Sequence, residues 1–271
     1  MQIANAPATL EILKGLWTRS LIAWSDGTRD TTTEVRWLQG PGLYCDLRQP
    51  AEMPSFSGAT CLAEVTPTQL EWMAKQDAFA GELIFDGACF EWERSINLQP
   101  YTAHADRGYL HFDGDVLIEH GEQLPYIEHW HQHTRCTGPF VAAKLEASGA
   151  RMQGYLVRAG AFFMYARAND RDLSSGETLI DCVRAAPSHA VALRLLDFEV
   201  SFGRIGSAGW RIERSSLPFR CDARFSVQPH GGSELIVSDS DFHLGTCERR
   251  WRIADLRGRI DDIFPDQSVS P

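Results

Sequence analysis

Short strands separated by tight turns recur along the whole chain, and helix signals are few. That pattern constrains the fold more than any other feature, because many short strands with regular turn signals pack as sandwiches or barrels. It is densest over Asp106–His133, DRGYLHFDGDVLIEHGEQLPYIEHWHQH, which holds five of the nine histidines. Asp113-Gly114 and His120-Gly121 read there as turns between consecutive strands. Side chains alternate along a strand, so Tyr126, Glu128 and Trp130 share one face while His129, His131 and His133 share the other. In a small barrel the aromatic face points inward. The sequence therefore predicts an inward Tyr126, Glu128 and Trp130 row and outward histidines.

The rest of the chain reads the same way. Strands are predicted over Leu16–Ser25, Thr33–Gln39 and Leu43–Arg48, with Gly40-Pro41-Gly42 as a hairpin loop. Val35, Trp37 and Gln39 share one face; Tyr44, Asp46 and Arg48 share another. Gly58–Thr66 is read as a strand. Thr66-Pro67-Thr68-Gln69 then has the form of a capping box, and helix is expected to about Phe79. Gly81–Phe85 and Cys89–Asn97 form a hairpin around Asp86-Gly87, with Phe90, Trp92, Arg94 and Ile96 on one face. After Thr134–Pro139 the pattern restarts with strands at Phe140–Ser148, Met152–Arg158 and Phe162–Ala168. Ser174-Ser175-Gly176-Glu177 reads as a second capping box. Leu179, Cys182, Val183 and Ala186 follow at helical spacing, and Pro187 ends that helix. Strands return over Leu195–Ile205, Gly209–Ser216, Cys221–Gln228, Glu234–Ser238 and Phe242–Ile253.

Each half thus runs from short strands through a single helix to more strands, although no sequence repeat is evident. A half-chain of about 130 residues suits one antiparallel barrel. The expectation is a mainly β protein of two antiparallel barrels packed side by side, each with one short helix. Residues 1–135 form the first barrel, residues 136–264 the second, and residues 265–271 a flexible tail.

Composition narrows the function classes. A net charge of −10 and the absence of a basic run exclude nucleic acid and an anionic membrane as the main partner. The seven cysteines lie at scattered positions without a CxxC pair, which fits free thiols in a reducing compartment. The opening residues lack the basic segment and long apolar run of a signal peptide, and no continuous apolar span occurs. A cytoplasmic protein is expected.

Several motifs carry a resemblance. They are Trp37-Leu38-Gln39, Tyr44-x-Asp46-Leu47-Arg48-x-Pro50, Phe90-x-Trp92, Asp106-x-Gly108, Glu119-x-Gly121 and Tyr126-x-Glu128-x-Trp130. The second half adds Glu199-x-Ser201-x-Gly203 and Trp210-Arg211-Ile212 with Ser215 and Pro218. In their order and spacing they resemble the lipocalin-like double-barrel family of fungi and proteobacteria. Its best-known fungal member is noted as interacting with a casein-kinase-type protein kinase. The resemblance implies two lipocalin-like barrels and says little about chemistry, and the kinase interaction is not carried over.

Three functional readings stay open. In the first, the first barrel binds a small apolar or amphiphilic molecule. Trp37, Tyr44, Trp92, Tyr126 and Trp130 hold its apolar body, Arg48 or Arg94 meets an anionic head, and Glu119 and Glu128 complete the polar set, since pockets combine apolar walls with few polar anchors. In the second, the barrels are filled and the outer surface binds a partner protein or a second copy. The third is an enzyme. It would use either a metal held by His129 and His131 with Glu119 or His120, or Glu128 beside Tyr126 as general base with a pKa raised by burial. No nucleophile elbow, phosphate loop or dinucleotide fingerprint is present, and no cofactor is expected. The second barrel offers Phe162, Phe163, Met164, Tyr165, Arg167, Glu199 and Trp210, an aromatic lining that reads as plain core.

Overall fold

The computed structural model describes residues 6–134, 136–147, 152–168, 173 and 178–264. The capping box read at 174–177 and the tail at 265–271 lie outside the described residues. Two antiparallel sheets account for most of the chain. The first contains β1 (Ala6–Pro7), β2 (Gly15–Trp24), β3 (Arg29–Asp30), β4 (Glu34–Gln39), β5 (Leu43–Gln49), β6 (Asp77–Phe85), β7 (Phe90–Asn97), β8 (Arg107–Asp113), β9 (Val116–Gly121) and β10 (Tyr126–Gln132). The second contains β11 (Phe140–Ala147), β12 (Gln153–Ala159), β13 (Phe162–Ala168), β14 (Phe198–Gly206), β15 (Gly209–Ser215), β16 (Arg224–Phe225), β17 (Val227–Pro229), β18 (Glu234–Asp241) and β19 (Gly245–Arg257).

Both sheets close on themselves. In the first, neighbours run β8-β7-β6-β5-β4-β2-β10-β9, and β9 pairs back to β8. In the second the order is β16-β15-β14-β13-β12-β11-β19-β18-β17. Its closure falls on the chain segment shared by β16 and β17: Phe225 pairs with Trp210 of β15, and two residues later Val227 pairs with Val237 of β18. The predicted fold class is therefore observed, two antiparallel barrels side by side.

The barrels share a third core between them. Leu38, Leu43, Cys45, Leu47, Ala80 and Ile96 on the outside of the first meet Ala142, Tyr155, Val157, Phe162, Met164 and Phe202 on the outside of the second. Strands buried on both faces read as near-continuous apolar runs. This explains why β5 (LYCDLRQ) and β13 (FFMYARA) show little alternation in burial. The β4–β5 hairpin docks directly on the second barrel. A Cβ at Gly40 would come within 2.9 Å of the Ala142 Cβ, and one at Gly42 within 2.1 Å of the Arg257 guanidinium. Gln49 and Gln76 cross the junction by donating to the Ser215 and Ser216 carbonyls at 3.1 and 2.9 Å.

Among the described residues the α-helices are three: α1 (Pro67–Met73), α2 (Leu179–Ala185) and α3 (His189–Leu195). The Thr66/Gln69 capping box forms as expected, but α1 stops at Met73 rather than near Phe79. The chain from Asp77 is taken instead by β6, whose pairing with β5 overrides local helix propensity. The strand expected at Gly58–Thr66 is a loop with a single helical turn at Leu62–Glu64. The second half has two helices, not one. Ser188 caps α3 through the Val191 N–H, so Leu195, expected to open a long strand, instead ends a helix, and the strand begins at Phe198. The strand expected at Cys221–Gln228 is reduced to β16 and β17 after a helical turn at Pro218–Arg220. No helix among the described residues is long and apolar enough to cross a membrane.

Strands β4 to β7 and β12 to β15 repeat one local design. Tyr44, Asp46 and Arg48 of β5 lie opposite Gly81, Phe79 and Asp77 of β6. Phe163, Tyr165 and Arg167 of β13 lie opposite Gly203, Ser201 and Glu199 of β14 in the same register. Both copies then carry a β-bulge beside the glycine, where the extra residue bends the partner strand. The bend brings a carbonyl against each glycine: an added Cβ would sit 1.8 Å from the Glu93 oxygen at Gly81 and 2.1 Å from the Arg211 oxygen at Gly203. The bulge also changes the face of one residue. Phe90 and Trp92 point into the first barrel, but Ile96 belongs to the shared core and not to their face.

Candidate functional site

The floor of the first barrel is a tryptophan cluster. Trp37 of β4 stacks near Trp17 (centroids 5.7 Å apart) and meets Trp92 and Trp130 edge-on at 5.6 and 5.5 Å. The indole N–H groups are satisfied internally: Trp17 donates to the Leu13 carbonyl at 2.7 Å, Trp37 to Gln39 Oε1 at 3.1 Å and Trp130 to Glu119 Oε2 at 3.1 Å. Trp37, Tyr44 and Trp130 are completely buried. They do not line an open space; they close the barrel from below.

Above this floor the barrel opens into a cavity of about 590 Å³. Six of the nine residues expected to bind a ligand line it: Arg48, Trp92, Arg94, Glu119, Tyr126 and Glu128. One wall is the connection from Gln99 to Asp106 between β7 and β8. Three of the chain's exposed large apolar side chains, Trp24, Tyr101 and Leu124 (37%, 56% and 48% accessible), stand on its rim. Two glycines make room for its polar wall. A Cβ at Gly108 would fall 2.9 Å from the Glu119 side chain, and one at Gly121 2.5 Å from the Tyr126 ring.

The charged residues are committed to one another. Arg48 donates to both Asp46 oxygens, at 3.0 and 3.4 Å. Arg94 lies 3.5 Å from the Phe79 ring centroid and bonds Asp106 at 2.6 Å and Asp77 at 3.4 Å. Glu128 pairs with Arg19, which also approaches Asp30 at 3.8 Å. The Tyr126 hydroxyl donates to Glu119 Oε1 at 2.8 Å. Tyr126 therefore serves Glu119, not Glu128 as the general-base reading required. Glu119 and Glu128 are cross-strand neighbours. Burial first, and then the Glu128 charge, push the Glu119 carboxyl well above the usual carboxylate range. Burial likewise raises Asp46, against the pull of Arg48.

The histidines face outward. His131 is exposed and lies 2.8 Å from the Ser20 hydroxyl, and His129 and His120 sit on the outer surface of the sheet. No group of three or more ligating side chains able to hold a metal ion occurs among the described residues. The outward turn that alternation predicts is thus observed, and the metal reading loses its geometry.

The second barrel holds a larger polar cluster than its apolar sequence reading anticipated. Arg167 donates to Asp239 at 2.7 Å, to Asp197 at 2.8 Å and to the Ser240 hydroxyl at 3.0 Å. Tyr165 donates to Asp239 at 2.8 Å, and Arg249 pairs with the same carboxylate. Arg220 enters from the turn after β15 to reach Glu199 at 3.2 Å and the Ser238 and Asp239 carbonyls at 3.1 and 3.2 Å. Arg167, Glu199, Asp239 and Arg220 are all buried. Burial alone would raise Asp239, but Arg167 and Arg249 outweigh it and hold the carboxyl well below the usual range. Arg220 escaped sequence reasoning because it lies in a short helical turn, and Asp239 because β18 runs to Asp241, three residues past the end expected for that strand.

Fold and site together define a double antiparallel β-barrel protein, the first barrel open at its mouth and the second crossed by a buried charge cluster. No protein-family profile and no curated protein sequence matches the chain. Among solved structures it is similar to the crystal structure of the uncharacterized protein YLR301w from Saccharomyces cerevisiae. The identity is 10% and the TM-score 0.52, over 90% of this chain and 98% of that one. A likeness at that identity is one of fold.

Proposed function

We propose that the first barrel binds a small amphiphilic molecule at its mouth. The observation that carries this reading is the cavity of about 590 Å³, walled by Trp92 and Tyr126, edged by exposed Trp24, Tyr101 and Leu124, and furnished with paired charges. Pockets of this size with apolar walls and a few convergent polar groups are the usual small-molecule sites. The apolar body would lie on the aromatic wall and rim, with the head among the charges. The Trp37, Tyr44 and Trp130 cluster would act through the barrel's rigidity rather than by contact. We also place the protein in the reducing cytoplasm, a reading supported by seven free cysteines.

The test is native mass spectrometry of protein purified without denaturant, followed by organic extraction of any adduct and rebinding measured by tryptophan fluorescence. One-to-one binding that weakens about tenfold in a Tyr101→Ala, Leu124→Ser double variant is expected. An absence of adduct together with no saturable rebinding by amphiphiles would remove the reading.

A further inference from the structure

Resting on the pocket reading above, we propose that the first barrel selects a cationic head, an alkyl- or arylalkylammonium group, on the amphiphile it binds. The barrels supply an internal comparison. In the second, among the described residues, Arg167, Arg220 and Arg249 face Asp197, Glu199 and Asp239 within one hydrogen-bonded cluster, three cations to three acids. In the first barrel the cavity is lined by Arg48, Arg94 and Arg107 and by Asp77, Glu91, Glu93, Asp106, Glu119 and Glu128, so carboxyl groups outnumber guanidinium groups two to one.

An anionic head finds no free partner in this set. Arg48 is held by Asp46, Arg94 by Asp77 and Asp106, and Arg107 by Asp86, Glu91 and Glu122. A carboxylate or phosphate would have to displace one of these acids while lying among the others, and like charges in a partly desolvated site repel strongly. An ammonium meets the opposite conditions. It adds positive charge where that charge is lacking, and it brings N–H donors to a site rich in acceptors. One acceptor is open: Asp77 Oδ1 is buried and has no hydrogen-bond partner, a condition that costs free energy unless a donor fills it. Trp92, Tyr126, Trp24 and Tyr101 offer the ring faces that attract cations. Burial and the Glu128 charge push the Glu119 carboxyl up, and the excess of acid does not depend on that group. The remaining carboxyl groups still outnumber the arginines. The sequence-based expectation of an anionic head at Arg48 or Arg94 is thereby reversed.

The experiment is isothermal titration calorimetry of the full chain at neutral pH and physiological salt with tryptamine, tryptophol and indole-3-acetate. These share one aromatic body and differ in the charge of the head. One-to-one binding of the amine at least about tenfold tighter than the alcohol, with the acid weakest, is expected. In Asp77→Asn, with unchanged folding by circular dichroism, the amine should lose at least about fivefold more affinity than the alcohol. If the alcohol or the acid binds as tightly as the amine, the cationic head is wrong and the pocket reading survives. If none of the three binds saturably up to ~10 mM, both fall.

Discussion

The two barrels place the same kinds of strand in the same register and end in opposite states. Arg48 opposite Asp77 in the first corresponds to Arg167 opposite Glu199 in the second. What differs is the connection that follows. After β15 the chain makes a tight turn that sends Arg220 into the barrel, where it bonds Glu199 and two carbonyls of β18. After β7 the chain instead runs along the rim from Gln99 to Asp106, and this run walls a cavity rather than filling it. One inserted guanidinium distinguishes the second barrel's buried charge cluster from the cavity of the first. The comparison teaches that matching strands can carry different polar interiors when the connection after the third of them takes a different path.

The largest expected effect tests that plug. Arg220→Ala removes the guanidinium bonded to buried Glu199, leaving only Arg167 at 3.9 Å, and breaking such a pair costs about 3–5 kcal/mol. Arg94→Ala, at a mouth where its side chain is 22% accessible and its partners can reach water, should cost about 1 kcal/mol. Equilibrium urea denaturation measures both, and equal losses would break the contrast. Next in size, Gly81→Ala and Gly203→Ala should each cost about 1–3 kcal/mol, because both copies press a carbonyl on the missing Cβ. A marked inequality between them would mean that the repeated bulge is not energetically equivalent.

The pH responses should diverge as well. Glu119 has a folded-state pKa above its unfolded value, so the folded protein holds that proton more tightly. Its contribution is complete below the ordinary carboxylate range and is lost as pH rises toward the raised value. Asp239 is depressed, so its contribution is present above the ordinary range and is lost as pH falls through its lowered value. Glu119→Gln keeps an acceptor for Trp130 and a donor for the Tyr126 oxygen. It should gain stability relative to the parent as pH rises above about 4.5, the ordinary value for glutamate. Denaturation curves across a pH series check this, and parallel curves would contradict it. Smallest of all, Tyr101→Ala on the rim should change stability by less than about 0.5 kcal/mol while altering ligand affinity. A larger loss would make the rim part of the core.

Much of the first site was legible because strand periodicity says which side chains share a face. Tyr126, Glu128 and Trp130 could be turned inward, and the histidines outward, from alternation alone. The same logic placed Trp92 and Arg94 with Arg48, and all three line the cavity. It failed where an extra residue breaks the period, as with Ile96, and where a β-branched or leucine-rich run joins a helix, as in α3. It also could not separate the residues that line the cavity from Trp37, Tyr44 and Trp130 beneath it. Depth along the barrel axis depends on how neighbouring strands are staggered.

Alternating faces, glycine turns and the Thr66 cap were local properties, and the amino-acid sequence by itself determined them. The ion partners were not local. Arg19 meets Glu128 across 109 residues and Arg167 meets Asp239 across 72. Only closure of each sheet brings such groups together, and only the path of one loop decides whether a guanidinium enters the barrel or leaves a cavity. The chain specifies its strands through short-range sterics and periodicity. Its site follows from long-range pairing of charges, which no stretch of sequence contains on its own.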